Sequence, residues 1–161
     1  MTTDSTIKCT SFYGHKVSLP KSRLILRPSA YAVLRWENKV LLVTNHRSGR
    51  FYLPGGGIEP GERIAEGLRR EVKEETGLEI EQELFIYFAE DFFYYDPHDE
   101  AYHALLFYYT GRTKTTALAH SGSEADDEGQ PQWVPQQNLT ADAFHNHGEL
   151  LMKVLQAEPE A

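Results

Sequence analysis

Three glutamates near the middle of the chain, Glu71, Glu74 and Glu75, are the residues whose types and spacing point most directly to chemistry. The pattern from about Ile64 to Thr76 predicts a helix. Each helical residue turns the direction by roughly 100°, so the three carboxylates fall within an arc of about 100°. Ile64, Ala65, Leu68 and Val72 form the adjoining apolar stripe, while Glu66, Arg69 and Lys73 point to the opposite, solvated side. Like charges crowded at the edge of a core are costly unless cations lie between them. Hard oxygen donors in this number suit Mg2+ or Mn2+. Gly67, in the same arc one turn earlier, costs roughly 1 kcal/mol of helix stability relative to Ala, and its missing side chain leaves room for a ligand. The ordinary alternative for three such glutamates is a solvated acidic face eased by the i,i+4 pairs Glu66–Arg70 and Arg70–Glu74.

The helix must be positioned by what precedes it. Tyr31–Trp36 and Lys39–Thr44 are β-rich runs separated by Glu37 and Asn38, the pattern of a hairpin. Phe51-Tyr52-Leu53 then enters Pro54-Gly55-Gly56-Gly57, and Pro60-Gly61-Glu62 leads into the helix, which ends at Thr76-Gly77. The order strand, glycine turn, helix lets the main chain approach a ligand without a Cβ in the way. Further strands are expected at Leu78–Glu90, Ala104–Thr113 and Gln132–Pro135, with loops at Phe92–His103 and Ala119–Pro131 between them. A last helix is expected from Ala143 onward, burying Phe144, Leu151, Val154 and Leu155. Residues 1–28 read as an N-terminal extension with one short strand, and 29–157 as a single domain.

Other residues suggest binding. His46, Arg47 and Arg50 precede the glycine turn and could hold phosphates, since an arginine fork matches phosphate oxygens, although surface charges of this kind are common. Phe92, Phe93, Tyr94 and Tyr95 could stack a base or belong to a core. The formal net charge of −8 argues against a grip on nucleic acid polymers or on an anionic membrane. A phosphate substrate is compatible with that charge if part of the acidic excess holds metal, because bound divalent cations reverse the local potential. One cysteine, Cys9, permits no internal disulfide and fits a reducing compartment. With neither a signal-like start nor an apolar run of spanning length, a cytoplasmic protein is expected.

Gly56, five residues, Glu62, seven residues, then Arg70-Glu71-Val72-Lys73-Glu74-Glu75-Thr76-Gly77-Leu78 resembles the Nudix box at every defined position. The resemblance implies an α/β fold, the Nudix α/β/α sandwich with a mixed β-sheet. It implies that Glu74 and Glu75 are metal ligands, that Glu71 binds metal directly or through water, and that Arg70 orients a neighbouring carboxylate. The backbone carbonyl of Gly55 would be a further ligand, and Mg2+ or Mn2+ the metal. Several relatives draw another carboxylate, as ligand or base, from a later loop. Glu124, Asp126, Asp127 and Glu128 compete for that place, and Glu128 is favoured because Glu128-Gly-Gln-Pro-Gln-Trp133 resembles the approach to a late strand in Nudix enzymes that cleanse oxidised nucleoside triphosphates. The implied activity is water attack on phosphorus in a nucleoside-diphosphate-linked substrate, with a nucleoside triphosphate, damaged or intact, leading. A dinucleoside polyphosphate or nucleotide sugar is the alternative substrate, and a nucleotide-sensing binding module the non-enzymatic alternative. The expected partner is a small nucleotide, with monomer and homodimer both open.

Overall fold

Along Lys39–Asn45 successive side chains enter different cores: Val40 and Leu42 pack on one side, Leu41 on the other, all fully buried. That alternation is the two-residue period of a strand buried on both faces. The computed structural model describes residues 4–119 and 128–160. The strands are β1 (Thr6–Ser11), β2 (Lys16–Pro20), β3 (Leu24–Val33), β4 (Arg35–Trp36), β5 (Lys39–Asn45), β6 (Phe51–Tyr52), β7 (Gly55–Gly57), β8 (Ile80–Tyr95), β9 (Glu100–Thr113) and β10 (Glu128–Pro135). Two helices, α1 (Ile64–Thr76) and α2 (Gly148–Val154), complete the set.

Six strands form one sheet in the order β2-β1-β8-β9-β3-β7, and β10-β5-β4 form a second with β6 paired to β5. The larger sheet is mixed, because β1 runs parallel to β8 and β3 parallel to β9, while its other pairs are antiparallel. On β3, Ala30 and Ala32 face α1, whereas Tyr31 and Val33 face the core that holds Leu151 and Val154 of α2. Helices thus cover opposite sides of the strands, the expected α/β/α arrangement.

Helix α1 begins where the Glu66 carboxylate accepts the Arg63 N–H at 2.9 Å, satisfying a donor the first turn leaves open. It stops at Gly77, left-handed at φ 76°, whose N–H returns to the Lys73 carbonyl. Leu68 and Val72 are fully buried beneath it. Leu68→Ala would cost about 2–5 kcal/mol and loosen the element that carries the carboxylates.

Four elements differ from the sequence expectation. The stretch Phe92–His103 is mostly strand: β8 continues to Tyr95, only Asp96–His98 and Asp99 make the turn, and β9 starts at Glu100. Aromatic residues at successive positions suit a strand that buries both faces, so they prolong β8 instead of ending it. The first 28 residues hold two complete strands and the start of β3, not one short strand. Their hairpin pairs with β8 through Thr10↔Phe93 and Ser11↔Tyr94 and buries Cys9 and Leu19 against Ala101. Beyond Ala143 the chain bridges Phe144 to Phe51 and turns at His147 (φ 58°) before α2 begins at Gly148, five residues later than expected from the pattern. Strand β10 starts at Glu128, four residues before the expected Gln132, with a bulge between Glu128 and Pro131. No helix among the described residues is long and apolar enough to cross a membrane.

Candidate active site

Alternate residues of three neighbouring strands face one cavity of about 470 Å3. They are Arg27, Ser29 and Tyr31 on β3, the even-numbered residues Tyr102 to Tyr108 on β9, and Asp91, Phe93 and Tyr95 on β8. Register aligns them in rows, with Arg27 and Asp91 both opposite Ala104, and Tyr31 between Tyr108 and Gly55. From the edge strand β7 to β8 is three strand spacings, about 14 Å. Across that floor the lining changes from glycine backbone and α1 carboxylates to aromatic rings, with Phe12 and the segment His145–His147 completing the aromatic side. Burial pushes the pKa of the Tyr31 and Tyr108 phenols up from the usual value, so both stay neutral under the cavity, their rings stacked at 5.7 Å.

The glycine turn is shaped by what lies against it. Gly55 has φ 142°, and a Cβ there would sit 2.1 Å from the Ala30 carbonyl oxygen, so only glycine fits. Its N–H donates to Glu75 Oε2 at 2.9 Å, tying β7 to α1, and Glu75 is only 4% exposed. A Cβ on Gly56 would lie 2.8 Å from the Glu71 carboxyl carbon and 3.0 Å from both its oxygens, so that carboxylate rests against bare backbone. A Cβ on Gly57 would lie 2.9 Å from two nitrogens of Arg27. The Arg27 guanidinium also stands 4.9 Å from the centre of the Tyr102 ring, a favourable cation–π distance.

Arg70 is the hub of the acidic cluster. It donates to both oxygens of Glu62 at 2.6 and 3.0 Å, to Glu71 Oε1 at 2.9 Å and to the Gly57 carbonyl at 3.1 Å, and it stands 3.5 Å from Glu74. The hydrogen bonds from Arg70, and then the Glu59 N–H, hold the Glu62 carboxyl down at about 2. Burial pushes the Glu71 carboxyl up, with Arg70 opposing. Glu71 and Glu75 line the cavity, whereas Glu74 is more than half exposed beside it. Arg70 thus relieves part of the repulsion, and among the described residues no three His, Cys, Asp or Glu side chains are already gathered as a metal cage.

The sequence pattern of the NUDIX domain matches residues 25–154. The chain belongs to the Nudix family. The ADP-ribose pyrophosphatase of Methanocaldococcus jannaschii is 44% identical over 68 residues, covering 39% of this chain and 40% of that protein. The human 8-oxo-dGDP phosphatase NUDT18 is 35% identical over 107 residues, 64% of this chain and 30% of that protein. Nucleoside triphosphatase NudI of Salmonella schwarzengrund is 62% identical over 32 residues, 20% of this chain and 23% of the other. The matches therefore span less than half the length of these relatives. Among solved structures, a Nudix hydrolase family member from Chromobacterium violaceum superposes with TM-score 0.61 at 21% identity, covering 86% of this chain and 80% of its own. The MutT protein of Bacillus halodurans gives 0.59 at 21%, covering 78% of each. At these identities the likeness shows the Nudix fold alone.

Of the residues singled out from the sequence, the structure brings Gly55, Glu71, Glu75 and Tyr95 to the cavity and sets Arg70 and Glu74 beside it. Tyr94 points the other way, packing against the Cys9 cluster and donating to Asp99 at 2.8 Å. His46, Arg47 and Arg50 are exposed and do not line the cavity, and Arg47 donates to the Tyr13 hydroxyl at 3.0 Å. Glu128 opens β10 opposite Asn45, itself a cavity residue, but its side chain and Glu124, Asp126 and Asp127 lie outside the described residues. The space over Gly67 is taken by Ile58 and the Glu62 carboxylate, at 2.6 and 2.8 Å from a would-be Cβ, not by a ligand. Sequence reading missed Arg27, Asp91, Phe12 and His147. Alternation along 27-29-31 and 91-93-95 was the available signal, but it does not say which face is open.

Proposed function

We propose that this chain hydrolyses a phosphoanhydride bond in a nucleoside-diphosphate-linked substrate, a nucleoside triphosphate or diphosphate before a dinucleoside polyphosphate or nucleotide sugar. The observation that carries the reading is the continuity of one cavity from the α1 carboxylates to the aromatic end, a volume within the usual range for small-molecule sites. The activities for which the three relatives are named share a nucleoside carrying at least two phosphates, which fits the same arrangement.

The donor set suits a hard divalent cation, since carboxylates of Glu71 and Glu75 reach the cavity beside the glycine turn, where the Glu71 carboxylate rests against the bare backbone of Gly56. Glu71, Glu74, Glu75 and the Gly55 carbonyl would hold Mg2+ or Mn2+, which would neutralise phosphate charge and lower the pKa of water so that it gives up a proton more readily. Arg27, the arginine that lines the cavity, takes the phosphate-holding role the sequence reading gave to Arg47 and Arg50. Arg70 keeps the Glu71 carboxylate in place through the 2.9 Å contact and braces it against Glu62 and Gly57. A carboxylate, Glu71 or Glu128, accepts the proton as water oxygen bonds to phosphorus and the anhydride P–O bond breaks, leaving two phosphate-bearing products.

A panel of nucleoside di- and triphosphates, nucleotide sugars and dinucleoside polyphosphates, assayed for phosphate and nucleotide release, tests the reading. Cleavage that depends on Mg2+ and is abolished by chelator is expected. Binding without cleavage of any member would refute hydrolysis and leave a nucleotide-sensing module.

A further inference from the structure

The N-terminal hairpin lies outside the residues matched by the Nudix pattern, yet it supplies part of the cavity wall. Phe12, immediately after β1, is the residue that does so. Its N–H donates to the Tyr94 carbonyl at 2.8 Å and to Asp96 Oδ2 at 2.9 Å, and its carbonyl oxygen lies 3.2 Å from His145 Nε2. The ring stands edge-on to Tyr95 (5.3 Å between centres, 77° between planes) and tilted against His145 (5.0 Å, 48°). Core packing does not explain this fastening, because Phe12 belongs to none of the three buried clusters among the described residues. The hairpin's own core, Cys9 and Leu19 with Ala101, sits on the other face of β8, where Phe92 and Tyr94 join it.

Polar groups stand in the same part of the cavity. Asp91 Oδ2 and His147 Nε2 are 3.0 Å apart, and both residues line the cavity. Asp91 is three strand spacings from β7 and level with Arg27, two residues along β3 from the partner of Gly57, so it stands roughly 16 Å from the glycine turn, a separation comparable to an extended nucleoside diphosphate. Flat aromatic surface beside a small set of hydrogen-bonding groups is what a heterocyclic base requires.

Resting on the hydrolase reading above, we propose that Phe12 is a specificity-determining residue. With Tyr95 and His145 it forms an aromatic seat for the substrate's base, whose edge Asp91 and His147 hydrogen-bond. The hairpin is then part of the substrate site, not an appendage of the fold.

The test compares Phe12→Leu, which keeps apolar bulk without an aromatic face, with Phe12→Trp, which keeps the face. Titration calorimetry with Mg2+ present would measure binding of a nucleoside 5′-monophosphate, which has no anhydride bond to cleave, and of ribose 5-phosphate, which lacks the base. Phe12→Leu should weaken the nucleotide roughly tenfold and ribose 5-phosphate little, whereas Phe12→Trp should stay within about threefold of wild type for both. In turnover assays the Leu change should fall on KM, with kcat nearly unchanged. Lys8→Ala, exposed on β1 of the same hairpin and not lining the cavity, should leave both ligands alone. Equal weakening of both ligands by Phe12→Leu, or no weakening of either, would overturn the seat, as would wild-type protein that binds the nucleotide no better than ribose 5-phosphate. Should Phe12→Leu fail to fold, Tyr95→Leu removes the ring packed edge-on against Phe12 from the continuous strand β8 and must give the same split. Absence of cleavage by the wild type would refute the hydrolase reading, while the binding comparison, whose ligands have no anhydride bond to cleave, would still decide the seat.

Discussion

Substituting alanine at each glycine of the turn Gly55–Gly57 should produce three different defects, because each missing Cβ faces a different neighbour. Gly56→Ala is the most informative. Gly56 is outside the positive-φ region, so alanine can adopt its backbone conformation, and the loss of unfolded-state freedom should by itself stabilise by about 0.4–1 kcal/mol. The new Cβ would sit 2.8 Å from the Glu71 carboxyl carbon. Ordinary carbon–carbon contact starts near 3.5 Å, so the carboxylate must retreat by roughly 0.7 Å. A long side chain can make that movement at little cost to the fold. Catalytic groups, however, tolerate only about 0.5 Å of displacement, and misplacement by about 1 Å can cost on the order of 100-fold.

The expected result for Gly56→Ala is therefore a thermal midpoint equal to or above wild type with kcat lower by about 10- to 100-fold. Gly57→Ala, whose Cβ meets the Arg27 guanidinium at 2.9 Å, should instead raise KM through displaced phosphate contact. Gly55→Ala should simply unfold the turn, since the Cβ meets a backbone oxygen at 2.1 Å and φ is 142°. Thermal melts without metal and steady-state kinetics with Mg2+ separate the three. Wild-type kcat in a stable Gly56→Ala protein would show that the position of the Glu71 carboxylate is irrelevant to turnover.

Glu75→Gln should lower turnover by at least about 100-fold while leaving the metal-free thermal midpoint unchanged or higher, because the amide oxygen can still accept the Gly55 N–H; unfolding of this variant would point to a structural role. Glu62 is held down at about 2, below the ordinary carboxylate value near 4.3, so its pairing with Arg70 stabilises the fold above that ordinary value and the contribution disappears as pH falls toward 2. Urea midpoints measured from about pH 5 to 2 should therefore fall less steeply in Arg70→Gln than in wild type, and parallel slopes would contradict the assignment. Tyr94→Ala should destabilise with all activities reduced together, whereas Tyr95→Ala should change the ranking of substrates in the panel. Glu128→Gln should depress turnover well beyond Glu124→Gln or Asp126→Asn if Glu128 is held at the phosphates, and equal small effects would assign that loop to solvent.

What the sequence made legible was local. The glutamate arc, the glycine turn and the helix limits at Arg63 and Gly77 are set by residues within a few positions of one another. Pairings across long separations were not legible. Arg27 reaches the cavity only because β3 runs parallel to β9, in a register that no nearby residue determines. Phe92–Tyr95 look like a loop when read alone, since nothing nearby says that both faces of β8 are covered, one by the Cys9 cluster and one by the cavity. The hairpin's role was hidden for the same reason: Phe12 meets His145, 133 positions away.

Charge also changes meaning once the fold is known. Three crowded glutamates were read as requiring cations, but Arg70 already stands among Glu62, Glu71 and Glu74, so their repulsion alone does not demand metal. The stronger argument comes from the substrate. Among the described residues, the acidic and basic side chains lining the cavity, leaving histidine aside, are one arginine, Arg27, and three carboxylates, Glu71, Glu75 and Asp91. A polyphosphate entering there would meet net negative charge in a partly desolvated space, where like-charge repulsion is far larger than in water. Divalent cations held by these carboxylates would offset that repulsion and attract the phosphates, and no displacement of Arg70 from Glu62 would be required. On this argument substrate affinity should fall sharply in chelator, while the Arg70–Glu62 pair and the fold it braces remain intact.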